Sequence, residues 1–258
     1  MSKASRIIRD KATLLSQFDT LCRGDIVSGI IPLKYGEEHL LFDLTARGIN
    51  FVPSATSQLA SKSKAFQAAI LKPWMVPATT VIYNYHQLLE ITNTYNLNNI
   101  EKVVLKQDKK NAGMGILLYR SIEDIYTQAA NGILSYPFVI QPFVEQSSDL
   151  RVIILDAYTE AYSRYNPNNF RNNLHCGGSA KPCSISEDVL HFCTEVMERG
   201  DFPYAHLDLM LTPEKAIYLA EINLRGGLRG ARISNEEYNS RKTDIENSLV
   251  NRLIKRTT

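Results

Sequence analysis

Residues 206–210 read His-Leu-Asp-Leu-Met and residues 219–223 read Leu-Ala-Glu-Ile-Asn, and this pair of segments decides the fold. Apolar residues alternate with polar ones in each segment, which predicts two strands over residues 205–211 and 216–222. The intervening Thr-Pro-Glu-Lys at residues 212–215 predicts a hairpin loop. We therefore expect the two strands to be neighbours in an antiparallel sheet.

The polar residues of this hairpin predict a metal site. With the loop at 212–215, Asp208 lies opposite Leu219 and is a diagonal neighbour of Glu221 on the same face. Two carboxylates on one face repel each other, and a divalent cation such as Mg²⁺ removes that repulsion. The amide oxygen of Asn223 can supply a further ligand. The alternative is a solvated face of an antiparallel sheet.

Cations precede this hairpin along the chain. Asp149 and Arg151 are two apart on a predicted strand, so they share a face, and Arg164 ends the next strand. Together with Arg171 and Lys106, these arginines can converge on a polyphosphate and a carboxylate. The alternative is a set of surface salt bridges.

Lys106 stands at the end of an apolar segment, Val-Val-Leu-Lys, which leads into a polar turn ending in Gly113-Met114-Gly115. A lysine at the end of a strand can bind phosphate, and glycines let backbone amides approach an anion closely. The Walker pattern is absent, and the third glycine of a dinucleotide fingerprint is missing. The alternative is a β-hairpin with a polar tip.

Strands and helices are mixed along the rest of the chain, which predicts an α/β (α+β) protein. A change of pattern near residues 76–80 marks the expected boundary between a short N-terminal unit, residues 1–78, and a larger domain, residues 79–258. Strands are expected at residues 25–31, 49–53, 79–83, 102–106, 115–119, 137–141, 149–155 and 158–164. Helices are expected at residues 8–20, 36–47, 55–72, 85–95, 121–130 and 185–199, and from the glycines at 226–230 to the C-terminus. A long polar loop is expected at residues 166–182, and such loops are often functional.

Composition narrows the class of protein. The chain has 258 residues, with 29 Lys and Arg against 27 Asp and Glu and a net charge of +2, which disfavours a nucleic-acid partner. No apolar run approaches the roughly 20 residues of a membrane span, and the N-terminus lacks the apolar core of a signal peptide. The four cysteines show no CxxC spacing, so we expect free thiols and a cytoplasmic protein.

Taken in order, these motifs resemble those of the ATP-grasp ligases, in particular the RimK-type glutamate ligases and their glutathione-synthetase relatives. The resemblance covers roughly residues 55–235. It is carried by Lys106 with Gly113 and Gly115, then Gln-Pro-Phe-Val at 141–144, Asp-Leu-Arg-Val at 149–152, Phe-Arg-Asn-Asn-Leu-His-Cys-Gly-Gly at 170–178, Asp-Leu at 208–209 and Glu-Ile-Asn at 221–223.

The resemblance implies two α+β lobes that enclose ATP, a small lobe at about 79–143 and a large lobe at about 144–258, after a short N-terminal α/β unit. It implies ATP and two Mg²⁺ ions, with Mn²⁺ as an alternative, and it gives each matched position a role. For ATP these positions are Lys62, Lys106, Gly113, Met114, Gly115, Gln141, Phe143, Val144, Asp149 and Arg151; for the reaction Arg164, Arg171 and Asn173; and for the metal Asp208, Glu221 and Asn223.

Departures from the family pattern concern the substrate. Lys110 stands where the family loop often has its first glycine, and Leu224-Arg225-Gly226-Gly227 replaces the Ser/Pro-Gly seen in RimK-type enzymes. Arg225 is either a clamp for a substrate carboxylate or a surface residue at a helix entry. His175 is interpreted as a substrate-shaping or structural residue, with a general base as the alternative.

The function implied is that of an ATP-dependent carboxylate–amine (or thiol) ligase, which forms an amide through an acyl phosphate and releases ADP and phosphate. The expected partners are a small-molecule or peptide carboxylate and an amine, without nucleic acid or membrane. The oligomeric state stays open, with a homodimer as one alternative. The alternative function is an ATP-binding regulatory or scaffold module without ligase activity.

Overall fold

The computed structural model describes residues 5–110 and 114–257, which form eight α-helices and twelve β-strands. The helices are α1 (Lys11–Gln17), α2 (His39–Ala46), α3 (Ala55–Ala60), α4 (Lys64–Ile70), α5 (Tyr85–Leu97), α6 (Ile122–Ala130), α7 (Glu187–Gly200) and α8 (Asn235–Thr257). The strands are β1 (Ile7–Ile8), β2 (Ile26–Ser28), β3 (Asn50–Val52), β4 (Thr80–Ile82), β5 (Val103–Gln107), β6 (Ile116–Tyr119), β7 (Phe138–Pro142), β8 (Ser148–Leu155), β9 (Tyr158–Tyr165), β10 (Ser179–Cys183), β11 (Ala205–Leu211) and β12 (Ile217–Asn223).

The first sheet joins β1, β2 and β3 in parallel. The expected helix over residues 8–20 is wrong at its start, because Ile7 and Ile8 pair with β2 and α1 begins only after Asp10. The Asp10 carboxylate accepts a hydrogen bond from the Thr13 backbone N–H at 2.8 Å, which caps the helix. Parallel strands with helices between them form the expected small α/β unit.

The helix predicted at 55–72 is two helices. A break at residues 61–63 separates α3 from α4, and the Ser63 hydroxyl accepts a hydrogen bond from the Phe66 N–H at 3.0 Å as the N-cap of α4. Both helices pack into the hydrophobic core of the sheet formed by β8 to β12, where Ala60, Ala65 and Leu71 are buried. The break therefore sets the start of α4 beside the strands of that sheet.

The second sheet has the order β4-β7-β5-β6 and is antiparallel. Helices α5 and α6 cover it through Leu88, Ile122 and Ile125, all fully buried. The predicted strands and helices of residues 79–141 are confirmed to within about two residues.

The third sheet has the order β10-β9-β8-β11-β12 and is antiparallel throughout. The expectation of a continuous loop at 166–182 is wrong at its end, because residues 179–183 form β10 and pair with β9. Four of the five residues of β10 are exposed, as befits an edge strand, so the segment lacks the apolar alternation that marks a strand.

Helix α8 returns to the first sheet, where Val250 is buried with Ile26 and Val52. The last helix thus packs against the N-terminal sheet. The domain boundary at residue 78 stays a prediction. Within the part of the chain that the structure describes, no helix combines the length and the apolar character that crossing a membrane requires.

Candidate active site

A cleft of about 1120 Å³ lies between the sheets and is lined by residues from all parts of the chain. It brings together fifteen predicted residues, namely Lys62, Lys106, Gln141, Phe143, Val144, Asp149, Arg151, Arg164, Arg171, Asn173, His175, Asp208, Glu221, Asn223 and Arg225. Met114 and Gly115 do not line it, and Met114 is exposed. Gly113 lies outside the described residues.

The two carboxylates of the hairpin lie directly opposite each other. The register pairs Asp208 with Glu221, and it shifts between Asp208 and Leu209. The expectation that Asp208 faces Leu219 is therefore wrong, because the bulge at Ala220 adds a residue to β12 and the loop is longer than predicted. The bulge also frees the Ala220 carbonyl, which accepts a hydrogen bond from Lys106 Nζ at 3.1 Å.

Arginines surround Asp208. Arg151 lies opposite it on β8 and donates from Nε and Nη2 to the two carboxylate oxygens at 2.6 and 2.7 Å. Arg164 Nη2 lies 3.2 Å from Oδ2 of the same carboxylate. Burial acts to raise the pKa of Asp208, but the charges of the two arginines outweigh it and hold the pKa well below its usual range. Asp208 is therefore ionised at physiological pH.

Asp149 and Arg164 form a second cross-strand pair. They lie opposite each other on β8 and β9, and Arg164 Nε donates to Asp149 Oδ1. Burial raises the pKa of Asp149 even though Arg164 favours its charged form. The strand pairing thus places Asp149 in an ion pair, and its predicted role in ATP binding stays a prediction.

Two lysines face the carboxylates, one from the second sheet and one from α4. Lys106 is buried on β5, and burial lowers its pKa to about 8. Lys64 is buried at the start of α4, with Nζ 3.6 Å from Glu221 Oε1. Lys62 is directed away from them and donates to the Leu33 carbonyl at 2.9 Å. Lys64 was not among the predicted residues; the sequence signal for it is Ser63, an N-cap residue directly before it.

The Gln141 side chain is a buried polar group in the part of the cleft between the second and third sheets. Gln141 is 3% exposed, and its Oε1 has no hydrogen-bond partner among the described residues. Phe143 follows on the same segment and packs edge-on against Phe170, with ring centroids 6.3 Å apart. A buried acceptor without a partner is costly, so the Gln141 oxygen has an unused capacity to accept a hydrogen bond in the cleft.

The loop after β9 is held by its own polar groups. The Asn173 side chain accepts from the Cys176 N–H at 3.0 Å, and Arg171 Nε donates to the Ile116 carbonyl at 2.8 Å. A Cβ at Gly178 would lie 2.3 Å from the Asn172 carbonyl oxygen, so only glycine fits there. Arg171 and Asn173 therefore line the cleft as parts of a loop that is fixed against β6.

The two histidines near the site differ in burial. His175 is exposed at the cleft wall. His206 is 1% exposed, its Nε2 lies 3.0 Å from the Tyr238 hydroxyl, and burial lowers its pKa to about 4. A Cβ at Gly226 would lie 2.6 Å from Nδ1 of His206. His206 is thus a neutral, buried side chain against which the segment after β12 packs at Gly226.

Comparison with known proteins identifies the family. The model of the RimK-like ATP-grasp domain matches residues 59–253. The chain belongs to this family. The RimK-like domain therefore contains both carboxylates, all the arginines named above, and the lysines of α4 and β5, and the predicted family and ATP-grasp fold are confirmed.

Individual relatives are distant. The chain is 24% identical over 184 residues to the coenzyme gamma-F420-2:alpha-L-glutamate ligase of Methanococcus maripaludis. The alignment covers 69% of this chain and 61% of that protein. It thus spans about three fifths of the length of this curated relative. D-alanine–D-alanine ligase from Bacillus anthracis, solved with ATP, superposes with a TM-score of 0.63 at 15% identity, over 96% of this chain and 86% of that one. A D-cycloserine synthetase gives a TM-score of 0.63 at 13% identity, over 96% and 99% of the two chains.

The hairpin residues of the RimK-like domain fit a divalent cation. Mg²⁺ is usually held by one or two carboxylates, with waters and substrate phosphates completing its shell. Asp208 and Glu221 supply two carboxylates, of which Asp208 also accepts from Arg151. Within residues 5–110 and 114–257, no group of three or more His, Cys, Asp or Glu side chains is arranged to hold a metal ion. The amide nitrogen of Asn223, in the orientation that satisfies its hydrogen bonds, donates to the Ser61 carbonyl at 3.0 Å, which leaves its oxygen as an acceptor.

Proposed function

We propose that the protein is an ATP-dependent ligase that joins a carboxylate to an amine, or to a thiol, and releases ADP and phosphate. The observation that carries this proposal is the pair of carboxylates, Asp208 and Glu221, which face each other across β11 and β12 among buried cations. A site of this kind suits a metal-bound polyphosphate, because both signs of charge meet in one cleft. The relatives named above, whose names specify glutamate and D-alanine, support an amino acid or a peptide as substrate.

The chain's residues have distinct tasks in this proposal. Gln141 accepts a hydrogen bond from the base of ATP, and Lys106, Lys64 and Arg164 neutralise its phosphates. Mg²⁺ or Mn²⁺ would be held by Asp208, Glu221 and Asn223. The family resemblance implies two such ions. When bound, such an ion neutralises charge that develops on the transferred phosphoryl group.

The reaction proceeds in two steps. A carboxylate oxygen of the first substrate bonds to the γ-phosphorus of ATP, and the bond from that phosphorus to ADP breaks. The amine nitrogen then bonds to the acyl carbon, the bond from that carbon to phosphate breaks, and the nitrogen releases a proton to solvent. The loop containing Arg171 and Asn173 excludes water, which would otherwise hydrolyse the acyl phosphate.

The test replaces Glu221 by glutamine. About a third of the Glu221 side chain is exposed and Asp208 is buried between arginines, so Glu221→Gln spares the fold better than a change at Asp208. With pooled amino acids and peptides, we expect ADP release to fall about 100-fold or more, because a metal ligand is lost. The measurement is a coupled ADP assay.

The matched control is Glu214→Gln, an exposed glutamate in the loop of the same hairpin that does not line the cleft. This variant should release ADP at the wild-type rate. Addition of hydroxylamine should trap the acyl phosphate as a hydroxamate. Wild-type turnover in Glu221→Gln, or ATP binding without any ADP release in the unaltered protein, contradicts the proposal.

A further inference from the structure

The strand that carries Glu221 and Asn223 is an edge strand. The third sheet ends with β12, so only one side of this strand pairs with another strand, β11. An antiparallel edge strand turns the backbone N–H and C=O of every second residue away from the sheet, where no strand receives them. The register shift beside Asp208 adds an irregularity to this pairing. The outer edge of β12 therefore needs other partners to hold it in one position.

A glutamine side chain of α4 takes the place of the missing strand. Gln67 Oε1 accepts a hydrogen bond from the Ile222 backbone N–H at 3.1 Å, and Gln67 Nε2 donates to the Ile222 carbonyl at 2.8 Å. Nε2 also donates to the Ala60 carbonyl at 2.6 Å. Ile222 lies between Glu221 and Asn223 in β12. One amide thus satisfies both backbone groups of the residue that separates two of the proposed metal ligands.

These hydrogen bonds are shielded from water. Gln67 is 2% exposed, and Ile222 is fully buried. All three hydrogen bonds of the Gln67 amide go to main-chain groups, as a buried amide requires to offset the loss of water. Gln67 does not line the cleft. It therefore acts on a ligand in the cleft only through the backbone that it holds.

A second partner of β12 lies at the end of the strand. The Ser61 hydroxyl accepts a hydrogen bond from the Leu224 N–H at 2.9 Å. The Ser61 carbonyl accepts from the side-chain amide of Asn223 at 3.0 Å, in the orientation that leaves the Asn223 oxygen as an acceptor. Ser61 follows α3 directly and belongs to the break between α3 and α4. The break between the two helices thus supplies the partners for the last residues of β12.

Helix α4 contacts consecutive residues of β12. Lys64 and Gln67 are three residues apart and therefore lie on one face of the helix. Lys64 Nζ lies 3.6 Å from Glu221 Oε1, and Gln67 binds the backbone of Ile222, the next residue. One side chain of α4 thus approaches a carboxylate of the candidate metal site, while the other holds the backbone from which that carboxylate projects.

We propose that Gln67 and Ser61 are positioning residues for the cation: they hold the outer edge of β12 and thereby set the places of the Glu221 carboxylate and the Asn223 amide. This inference rests on the proposed ligase function, in which these two groups bind Mg²⁺ or Mn²⁺. A set of ligands binds a cation tightly when its geometry is fixed before binding. Release of this edge should therefore weaken the metal site, while Asp208 stays in its ion pairs with the arginines.

The test measures binding of Mn²⁺ without turnover. A non-hydrolysable ATP analogue is mixed with an excess of protein, so that little of it is free, and Mn²⁺ is added while electron paramagnetic resonance follows the unbound ion. We expect Gln67→Met to raise the dissociation constant of Mn²⁺ about tenfold or more, because the support of a ligand is lost. Amide hydrogen exchange of the ligand-free variant should accelerate over residues 219–224.

The matched control is Gln58→Met. Gln58 is also a buried glutamine whose amide joins two backbone segments, since it accepts from the Ile31 N–H at 2.9 Å and donates to the Pro53 carbonyl at 2.8 Å. These partners follow β2 and β3, away from β12. The control should lose similar stability and keep the Mn²⁺ affinity of the unaltered protein. An equal loss of Mn²⁺ affinity in both variants would show a global effect and overturn the inference.

Ser61→Ala is the milder variant, and it decides the question if Gln67→Met does not fold, as judged by thermal melting. It removes the acceptor of the Leu224 N–H and keeps the Ser61 carbonyl, so we expect Mn²⁺ to bind about threefold more weakly. Unchanged Mn²⁺ affinity in folded Gln67→Met, or in Ser61→Ala where Gln67→Met is unfolded, refutes the positioning role.

The unaltered protein separates the two proposals. If it binds the ATP analogue with Mn²⁺ and the variants bind Mn²⁺ equally well, the positioning role is refuted while the ligase function stands. If the unaltered protein does not bind the analogue, or binds no Mn²⁺ with it, the ligase function is contradicted, and the inference is overturned with it.

Discussion

The lowered pKa of Lys106 predicts how the affinity for ATP depends on pH. Burial lowers its pKa to about 8, so the ammonium group loses its proton as the pH rises through that value. Phosphate binds the protonated form, and one charge-assisted contact contributes about 1.5–3 kcal/mol. We expect the ATP affinity to fall about tenfold or more between pH 7 and pH 9.5 in titration calorimetry. Lys106→Arg stays charged and should give a flat profile; a flat profile in the unaltered protein would refute the prediction.

Because the Lys106 charge is buried, replacing this lysine by an apolar residue should also raise the free energy of unfolding. Its folded pKa of about 8 lies below the value of 10.5 in the unfolded chain, so the unfolded state binds the proton more tightly. The buried charge therefore costs stability below pH 8, and this cost disappears as the pH rises towards 10.5. We expect Lys106→Met to raise the free energy of unfolding by about 1–3 kcal/mol at pH 7, and by less at pH 10. Urea unfolding at both pH values measures this, and a less stable variant at pH 7 would contradict it.

The Asp108 carboxylate joins the β5–β6 loop to the start of α4, alongside Lys64, whose Nζ donates to the Lys110 carbonyl. Asp108 accepts from the Ser63 hydroxyl at 2.9 Å and from the Ala65 N–H at 3.1 Å. We expect Asp108→Ala to cost about 1–2 kcal/mol of stability and to weaken ATP binding, because the starts of α4 and of the loop both lose their position. Hydrogen exchange should accelerate over residues 61–66 and 105–110.

Asp10→Ala is the matched control at the level of elements, since the Asp10 carboxylate accepts a backbone N–H at the start of α1, as Asp108 does at the start of α4, and does not line the cleft. It should cost similar stability and leave the ATP affinity unchanged. Equal loss of ATP affinity in both variants would show that the effect of Asp108 is merely global.

At the scale of elements, most of the fold could be predicted from apolar periodicity. The strands β11 and β12 were predicted because polar and apolar residues alternate in them. The short strand β1 and the exposed strand β10 were not, because two residues show no period and edge strands show little burial. The break before α4 was overlooked because residues 61–63 are short and polar within an otherwise helical pattern.

Helix α8 connects the end of the chain to the first sheet. Val250 is 2% exposed and packs with Ile26 and Val52. We expect Val250→Ala to cost about 1–3 kcal/mol and to accelerate hydrogen exchange in β2 and β3 ahead of the other sheets. Val196→Ala, a buried valine of the third sheet's core, should cost similar stability without that preference. Equal acceleration in both variants would contradict the link through α8.

The sequence by itself determined the family, the order of most elements and the residue types of the candidate site, because local periodicity and motif spacing are written along the chain. Only the tertiary structure decided which side chains meet. The bulge that sets Asp208 opposite Glu221, the burial that lowers the pKa of Lys106, and the approach of Lys64 to Glu221 all depend on contacts between distant segments. The ten Lys and Arg side chains that line the cleft, against three carboxylates, are likewise brought together by folding, because the chain as a whole is nearly neutral.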